Sequence, residues 1–339
     1  MPRLPFTFDP FPRRTYSPAD LFSGFDPRDP QSFAATRDFE IYREYMASGK
    51  YAPNDYFTAV MQAMHDNAVT QALRDFLAST SAQPVGIMGG HKLLRGSDAY
   101  RNVVYLAREL ANRNFTMLSG GGPGAMEATH LGALLRYAND ADVEAAIRLL
   151  ASHPHVPDLT DLVAADGTVD AHLIAQAHAW FAPAYEIATG VERPGESLAM
   201  PTWLYGHEPS SPLATRIAKY FQNSIREDGL LAIATSGIVY VEGRAGTLQE
   251  IFQDAAQNYY RTFGCFSPMV FLGSAYWSET VPAIPVLRAL FRPEDFEAYV
   301  FLTDDVAAAA DFIESHNTNE TAAEQIGKYL RHEVHRRDD

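Results

Sequence analysis

Three times along this chain a short apolar run stops at a glycine turn and restarts in helix-forming residues, and that recurrence limits the fold more than any other feature. Val85-Gly86-Ile87-Met88 ends in Gly89-Gly90-His91, and Phe115-Thr116-Met117-Leu118 ends in Ser119-Gly120-Gly121-Gly122-Pro123-Gly124. The run from Gly237 to Val241 ends in Glu242-Gly243-Arg244-Ala245-Gly246. Runs this short, with β-branched and aromatic residues, read as buried strands. After the first, Tyr100, Val103, Val104, Ala107 and Leu110 share one helical face. After the second a helix runs to about Leu135, and after the third helix formers extend from Leu248 to Ala256. Strand, turn and helix repeated in this order predict an α/β fold, a Rossmann-like parallel sheet with helices on both faces.

Further strands are expected at Ser197 to Met200, Pro268 to Leu272 and Tyr299 to Thr303, and Ser211-Pro212 has the form of a helix start, predicting a helix to about Arg226. Residues 1–80 stand apart as an N-terminal arm and helical extension. Phe6, Phe8, Phe11, Phe22 and Phe25 interleave with prolines up to about Pro30, an arm suited to lie across a surface or a partner subunit. Phe57, Val60, Met61, Met64 and Ala68 mark a helix that follows it. The α/β domain is expected over 81–315, interrupted at 138–194 by a helical insertion with helical pieces at Val143 to Ala151 and Ala171 to Ile187. Residues 316–339 read as a charged C-terminal helix or tail.

Of the 339 residues, 47% are apolar, enough to bury a substantial core. A net charge of −15 argues against coating a nucleic-acid polymer, which needs cations to replace condensed counterions. It leaves room for a small phosphorylated ligand, because backbone N–H groups and one or two arginines suffice locally. Cys265 is the only cysteine, which excludes an intrachain disulfide and a multi-cysteine metal site. No apolar run reaches membrane-spanning length, and prolines at 2, 5, 10 and 12 break any signal-peptide core, so a cytoplasmic protein without a membrane partner is expected.

The third glycine turn has the make-up of an anion-binding device. Gly243 and Gly246 are free to adopt positive φ, and the helix that follows offers unpaired N–H groups and a partial positive charge. Thr247 stands where an N-cap is expected, and Glu250 three residues later completes a capping box, a purely structural role. The Gly120 cluster lacks the Gly-x-Gly-x-x-Gly spacing of a dinucleotide site, and no lysine follows a glycine turn as in a P-loop. Four glycines in five positions exceed what a turn needs, which points to contact with a ligand.

Taken together, Gly120-Gly121-Gly122-Pro123-Gly124-Ala125-Met126-Glu127-Ala128 and Gly243-Arg244-Ala245-Gly246-Thr247-Leu248-Gln249-Glu250 resemble the paired signature of the LOG (Lonely Guy) family in its longer bacterial type. The resemblance covers roughly Pro84 to Ala310, without the insertion. It implies a Rossmann-like core, a homodimer or higher homo-oligomer, and hydrolysis of the N-glycosidic bond of a nucleoside 5′-monophosphate to free base and ribose 5-phosphate, with no cofactor or metal. The family's catalytic arginine and glutamate match Arg226, one residue further from the motif, and Glu250. Gly120, Gly121, Gly122 and Gly124, with Gly243, Arg244, Ala245, Gly246 and Thr247, correspond to positions that hold phosphate and ribose. Met126 and Glu127 stand on the base side. The family's phosphate loop reads Pro-Gly-Gly-x-Gly-Thr; here Glu242 replaces the proline and Arg244 the second glycine. Those departures keep an alternative open, a non-catalytic nucleotide-binding sensor or carrier. His207-Glu208, in the loop after the third strand, is a candidate substrate or interface contact, and His91 ends the first strand, where ligands of open α/β sheets gather.

Overall fold

A computed structural model describes residues 5–262 and 266–317. Cys265 and nearly all of the expected tail lie outside them. The N-terminal extension carries helices α1 (Pro18–Leu21), α2 (Arg37–Ala47) and α3 (Tyr56–Ser79). The core then runs β1 (Pro84–Met88), α4 (Asp98–Asn112), β2 (Thr116–Ser119), α5 (Ala125–Leu134), α6 (Asp140–Leu150), α7 (Ala171–Gly190), β3 (Ser197–Ala199) and β4 (Arg216–Ile217). It continues through α8 (Asn223–Ile233), β5 (Ile238–Tyr240), α9 (Ala245–Tyr259), β6 (Met269–Leu272), α10 (Ala283–Leu290), α11 (Pro293–Tyr299), β7 (Val300–Thr303) and α12 (Val306–Ser315). The two helical pieces expected within 138–194 are α6 and α7, between β2 and β3.

The seven strands form one all-parallel sheet in the order β4-β3-β2-β1-β5-β6-β7. Helices cover both faces, which is why strands such as Pro84–Met88 are buried along their whole length and apolar throughout. Side chains nevertheless alternate between two cores: Ile238 and Tyr240 join one, Val239 and Val241 the other. The chain starts at central β1, builds outward to β4, and crosses back to β5 on the other side of β1. Adjacent β1 and β5 therefore send their following segments in opposite directions and open a crevice at their C-terminal ends. The three glycine turns meet there.

One expectation is corrected here. Ser211-Pro212 does not start a helix. Ser211 N–H donates to the Gly121 carbonyl at 2.9 Å and Ala218 N–H to that of Ala199 at 2.8 Å, so the segment becomes edge strand β4. Sheet pairing and burial of Leu213, Ala214 and Ile217 outweigh the local helix-start signal. The helix begins at Asn223, which puts Arg226 in its first turn. The N-terminal arm, in turn, lies on its own chain. Phe22 and Phe25 each pack 4.9 Å from Phe181 of α7, and Tyr16 bridges to Ile217. Tyr16 and His65 are joined through Oη and Nε2 at 2.8 Å, and His65 Nδ1 lies 3.0 Å from Asp66. Asp66 accepts the backbone N–H groups of Phe221 and Gln222, both at 2.9 Å, just before α8. Because Gln222 caps α8 without a side-chain hydrogen bond, Asp66 of α3 sets where that helix, and Arg226 on it, begins.

Candidate functional site

The loop after β2 is held in one shape from below. Ser119 Oγ donates to the Met126 carbonyl (3.1 Å) and accepts from Gly121 N–H (3.2 Å). It also meets His130 Nε2 at 2.8 Å, while His130 Nδ1 lies 3.0 Å from Ser197 Oγ. With the serine proton on the Met126 carbonyl, Nε2 must carry the imidazole proton and Nδ1 must accept from Ser197. Burial pushes the His130 pKa down to about 3, so this imidazole is neutral and works as a strut. Gly121 and Gly124 have φ of +74° and +71°. Gly124 also packs on the Gly90 carbonyl so closely that any side chain there would collide with it, and Ala125 N–H donates to that carbonyl at 3.2 Å. The turns after β1 and β2 are thereby locked together.

The turn after β5 joins them through Gly90 N–H, which donates to the Glu242 carbonyl at 2.8 Å. Neither Gly243 nor Gly246 uses positive φ. Gly243 is required for space instead, since Thr247 Oγ1 fills the position of its missing side chain, and Tyr276 O–H donates to its carbonyl. Gly246 faces open space. Helix α9 starts at Ala245 with Arg244 as N-cap and no side-chain cap, so Thr247 lies inside the first turn and the expected capping box does not form. Among the described residues the first N–H groups of α9 take no side-chain cap. Glu242 and Arg244 are both exposed, so neither is buried in the loop.

Freed from capping, Glu250 is half-buried one turn further along α9. Burial pushes its pKa up to about 7; the Arg226 charge acts in the opposite sense, and Glu227 adds to the rise. Arg226 Nη1 lies 3.7 Å from where a Cβ on Gly120 would stand, and its Nε is buried without a hydrogen-bond partner. The Met126 side chain lies against both Gly120 and Gly122. At the Gly122 end, Glu208 Oε2 lies 3.7 Å from the position of a Cβ, and Glu208 Oε1 is 4.0 Å from His91 Nε2. Arg226 thus stands at Gly120, and Glu208, with His91 near it, at Gly122.

Glu127 is a correction: it does not face the base side. It is fully buried, takes Arg95 Nε and Nη2 at 2.7 and 2.5 Å, and accepts from Tyr100 O–H at 3.1 Å. Arg95 also donates to the Trp180 carbonyl at 2.8 Å and stacks 3.7 Å over the Trp180 ring. This ion pair ties the first turn of α5, and with it the glycine loop, to α7. Arg95 carries no pattern in the sequence that would have marked it as the partner.

The fold is a Rossmann-like α/β sheet. No protein-family model matches the sequence, and no curated protein matches it significantly. Among solved structures the chain is similar to the molybdenum cofactor binding protein from the phototrophic bacterium Rippkaea orientalis, with 12% identity over 69% of this chain and 96% of that one and a TM-score of 0.39. Among the described residues no group of three or more His, Cys, Asp or Glu side chains could hold a metal ion, and no helix is long and apolar enough to cross a membrane.

Asp254, four residues after Glu250 and so on the same face of α9, was not singled out in the sequence although its spacing was visible. It is buried and accepts from Tyr240 O–H at 2.8 Å. Burial pushes its pKa up to about 7 against the hydrogen bonds from Tyr240 and Ser267. Glu250 and Asp254 therefore both keep, in the folded protein, protons that an unfolded chain releases near pH 4. The stability this confers is complete below about pH 4 and is lost as pH rises through about 7. The melting temperature is expected to fall between pH 5 and pH 8, and Asp254→Asn, neutral throughout, to flatten that fall. Thermal melts across the range decide the point; an unchanged slope in the variant would rule Asp254 out as a contributor.

Proposed function

We propose that the protein hydrolyses the N-glycosidic bond of a nucleoside 5′-monophosphate, releasing the free base and ribose 5-phosphate. The observation that carries this reading is the electrostatic coupling of Arg226 and Glu250: a guanidinium whose buried Nε has no hydrogen-bond partner among the described residues, and whose charge opposes the rise that burial gives the Glu250 pKa, to about 7. Both stand at the switch point of the sheet, within reach of an uncapped helix N-terminus. The phosphate is assigned to the N–H groups of Ala245, Gly246 and Thr247, with Arg244 at the rim. This places C1′ against Glu250 and Arg226.

As the C1′–N bond breaks, positive charge develops on the sugar, and the Glu250 carboxylate stabilises it. Glu250 then takes a proton from the water that adds to C1′, while the departing base takes up one proton, so the sum is nucleotide plus water to base plus ribose 5-phosphate. A base with a pKa near the working pH is best suited to that exchange. Arg226 holds phosphate or ribose and keeps the reacting atoms aligned. The residues that resemble the LOG signature are the ones assigned these roles.

Incubating the protein with AMP, GMP, CMP and UMP and separating the products chromatographically tests the proposal. Release of free base from at least one nucleotide is expected. Binding of a nucleotide without any release would favour the sensor or carrier, the reading that Glu242 and Arg244 at the altered phosphate loop support.

A further inference from the structure

Helix α8 carries Arg226, yet little in α8 itself holds that side chain in place. Among the described residues of α8 none before Leu230 is buried, and Gly229 weakens the helix just ahead of that point. Beyond Arg226, Gln253 of α9 donates to Asp228 at 2.6 Å, in an exposed position. The N-cap Gln222 makes no side-chain hydrogen bond. Helices this short owe most of their stability to packing, so such a segment frays from its N-terminus unless something outside it fixes the start.

The fixed point comes from the N-terminal extension. Both Asp66 oxygens accept backbone N–H groups, Oδ1 that of Phe221 and Oδ2 that of Gln222, each at 2.9 Å. The Gln222 carbonyl in turn accepts the Arg226 N–H at 3.4 Å, so the carboxylate of α3 is one residue removed from the arginine backbone. Phe221 is buried among the rings of Phe8, Tyr45 and His65, all from the extension, and that of Trp203. Asp66 is itself held. His65 Nδ1, 3.0 Å from Oδ1, faces an acceptor and so carries a proton, and Tyr16 Oη closes the chain 2.8 Å from Nε2. Asp66 and His65 are fully buried. A buried carboxylate is costly where shape alone would serve, and here both of its oxygens are engaged at the start of α8.

We propose that Asp66 is a positioning residue for the site: through the first turn of α8 it sets where Arg226 stands relative to Glu250, which makes the N-terminal extension a working part of the site. The catalytic role of Arg226 rests on the nucleotide reading above; its action on the Glu250 charge does not.

The Glu250 carboxyl reports on that placement. Arg226 and Glu227 of α8 act on it, Arg226 the more strongly, and Tyr240 of β5 also feels its charge. Carboxyl 13C NMR on protein labelled at glutamate Cδ, with the Glu250 signal identified by its loss in Glu250→Gln, follows its titration with no nucleotide present. In Asp66→Asn an amide donor faces a backbone N–H, the first turn of α8 loosens and Arg226 withdraws. The Glu250 pKa then rises from about 7 by about one pH unit. Loss of the Asp66 charge alone would lower it, so the sign separates the two effects. Arg226→Gln raises the pKa as well, and Asp66→Asn adds nothing further in that background. Tyr16→Phe, which removes only the outermost hydrogen bond, gives a smaller rise and decides the matter if Asp66→Asn does not fold. An unchanged or lowered pKa in the deciding variant, or a rise that persists undiminished in the Arg226→Gln background, overturns the inference. Base release is measured separately, so the nucleotide reading can fail while the Asp66 result stands, or the reverse.

Discussion

Glu250→Gln is expected to abolish base release while making the protein harder to melt above neutral pH. A residue that does chemistry in a buried setting is held there at the expense of stability, and the two effects of removing its charge point in opposite directions. Loss of a general base lowers the rate by about 100- to 10,000-fold. At pH 8 the folded protein no longer has to ionise a carboxyl that burial has raised to about 7. Relief of that penalty stabilises by on the order of 2 kcal/mol. With Glu250 acting as proposed, kcat/KM of the wild type is expected to rise with pH through about 7, because the carboxylate would be the working form. Arg226→Gln removes the nearby charge that favours ionisation, so the surviving activity shifts to higher pH. Rates and melting curves on the same preparations separate the roles. A Glu250→Gln protein that keeps full activity, or one that loses both activity and stability, would assign the residue to the fold.

The second large effect concerns Glu127, and it is on stability. Glu127→Ala leaves the Arg95 guanidinium, 1% exposed, with only the Trp180 carbonyl and ring for company. Removing one partner of a buried pair costs about 3–5 kcal/mol, because the remaining charge is stranded in a poorly polarisable interior. In a protein of this size the melting temperature drops by on the order of 10 °C. Replacing both partners with apolar residues of similar volume, Arg95→Met with Glu127→Leu, recovers most of that loss. A Glu127→Ala protein that melts normally but binds nucleotide poorly would return Glu127 to the base side of the site.

Much of the architecture was legible because it rests on local rules. Alternating strands and helices, each with a turn of glycines between, leave little besides a parallel sheet, and fully buried strands such as β1 and β5 carry the continuous apolar runs that reveal them. The meeting of the three glycine turns, where the site is proposed, was legible for the same reason, since glycines after strands mark where a backbone must come close to something. What went wrong locally was decided by distant partners. Ser211-Pro212 has every sign of a helix start, but the edge of β3 lay open beside it. Thr247 and Glu250 have the spacing of a capping box, but Gly243 left a hollow that draws Thr247 inside the helix. Glu127 sits in a first helical turn beside a ligand-type loop, and only the arrival of Arg95 from the β1–α4 connection shows that it faces inward.

By itself the sequence determined the class of fold, the three turns and the two residue types, arginine and glutamate, on which the proposed chemistry depends. These follow from periodicity and from what glycine alone can do, which are properties of neighbours along the chain. The tertiary structure decided which carboxylates are free to act. Burial, the distance to an arginine and the presence of a hydrogen-bond donor set the state of a carboxyl, and each is supplied by segments remote in sequence: Arg226 from α8, Arg95 from beyond β1, and the Glu208 loop from after β3. Glu250 and Glu127 look alike on paper. The folded chain gives one an open, half-buried position with a raised pKa and locks the other in the core.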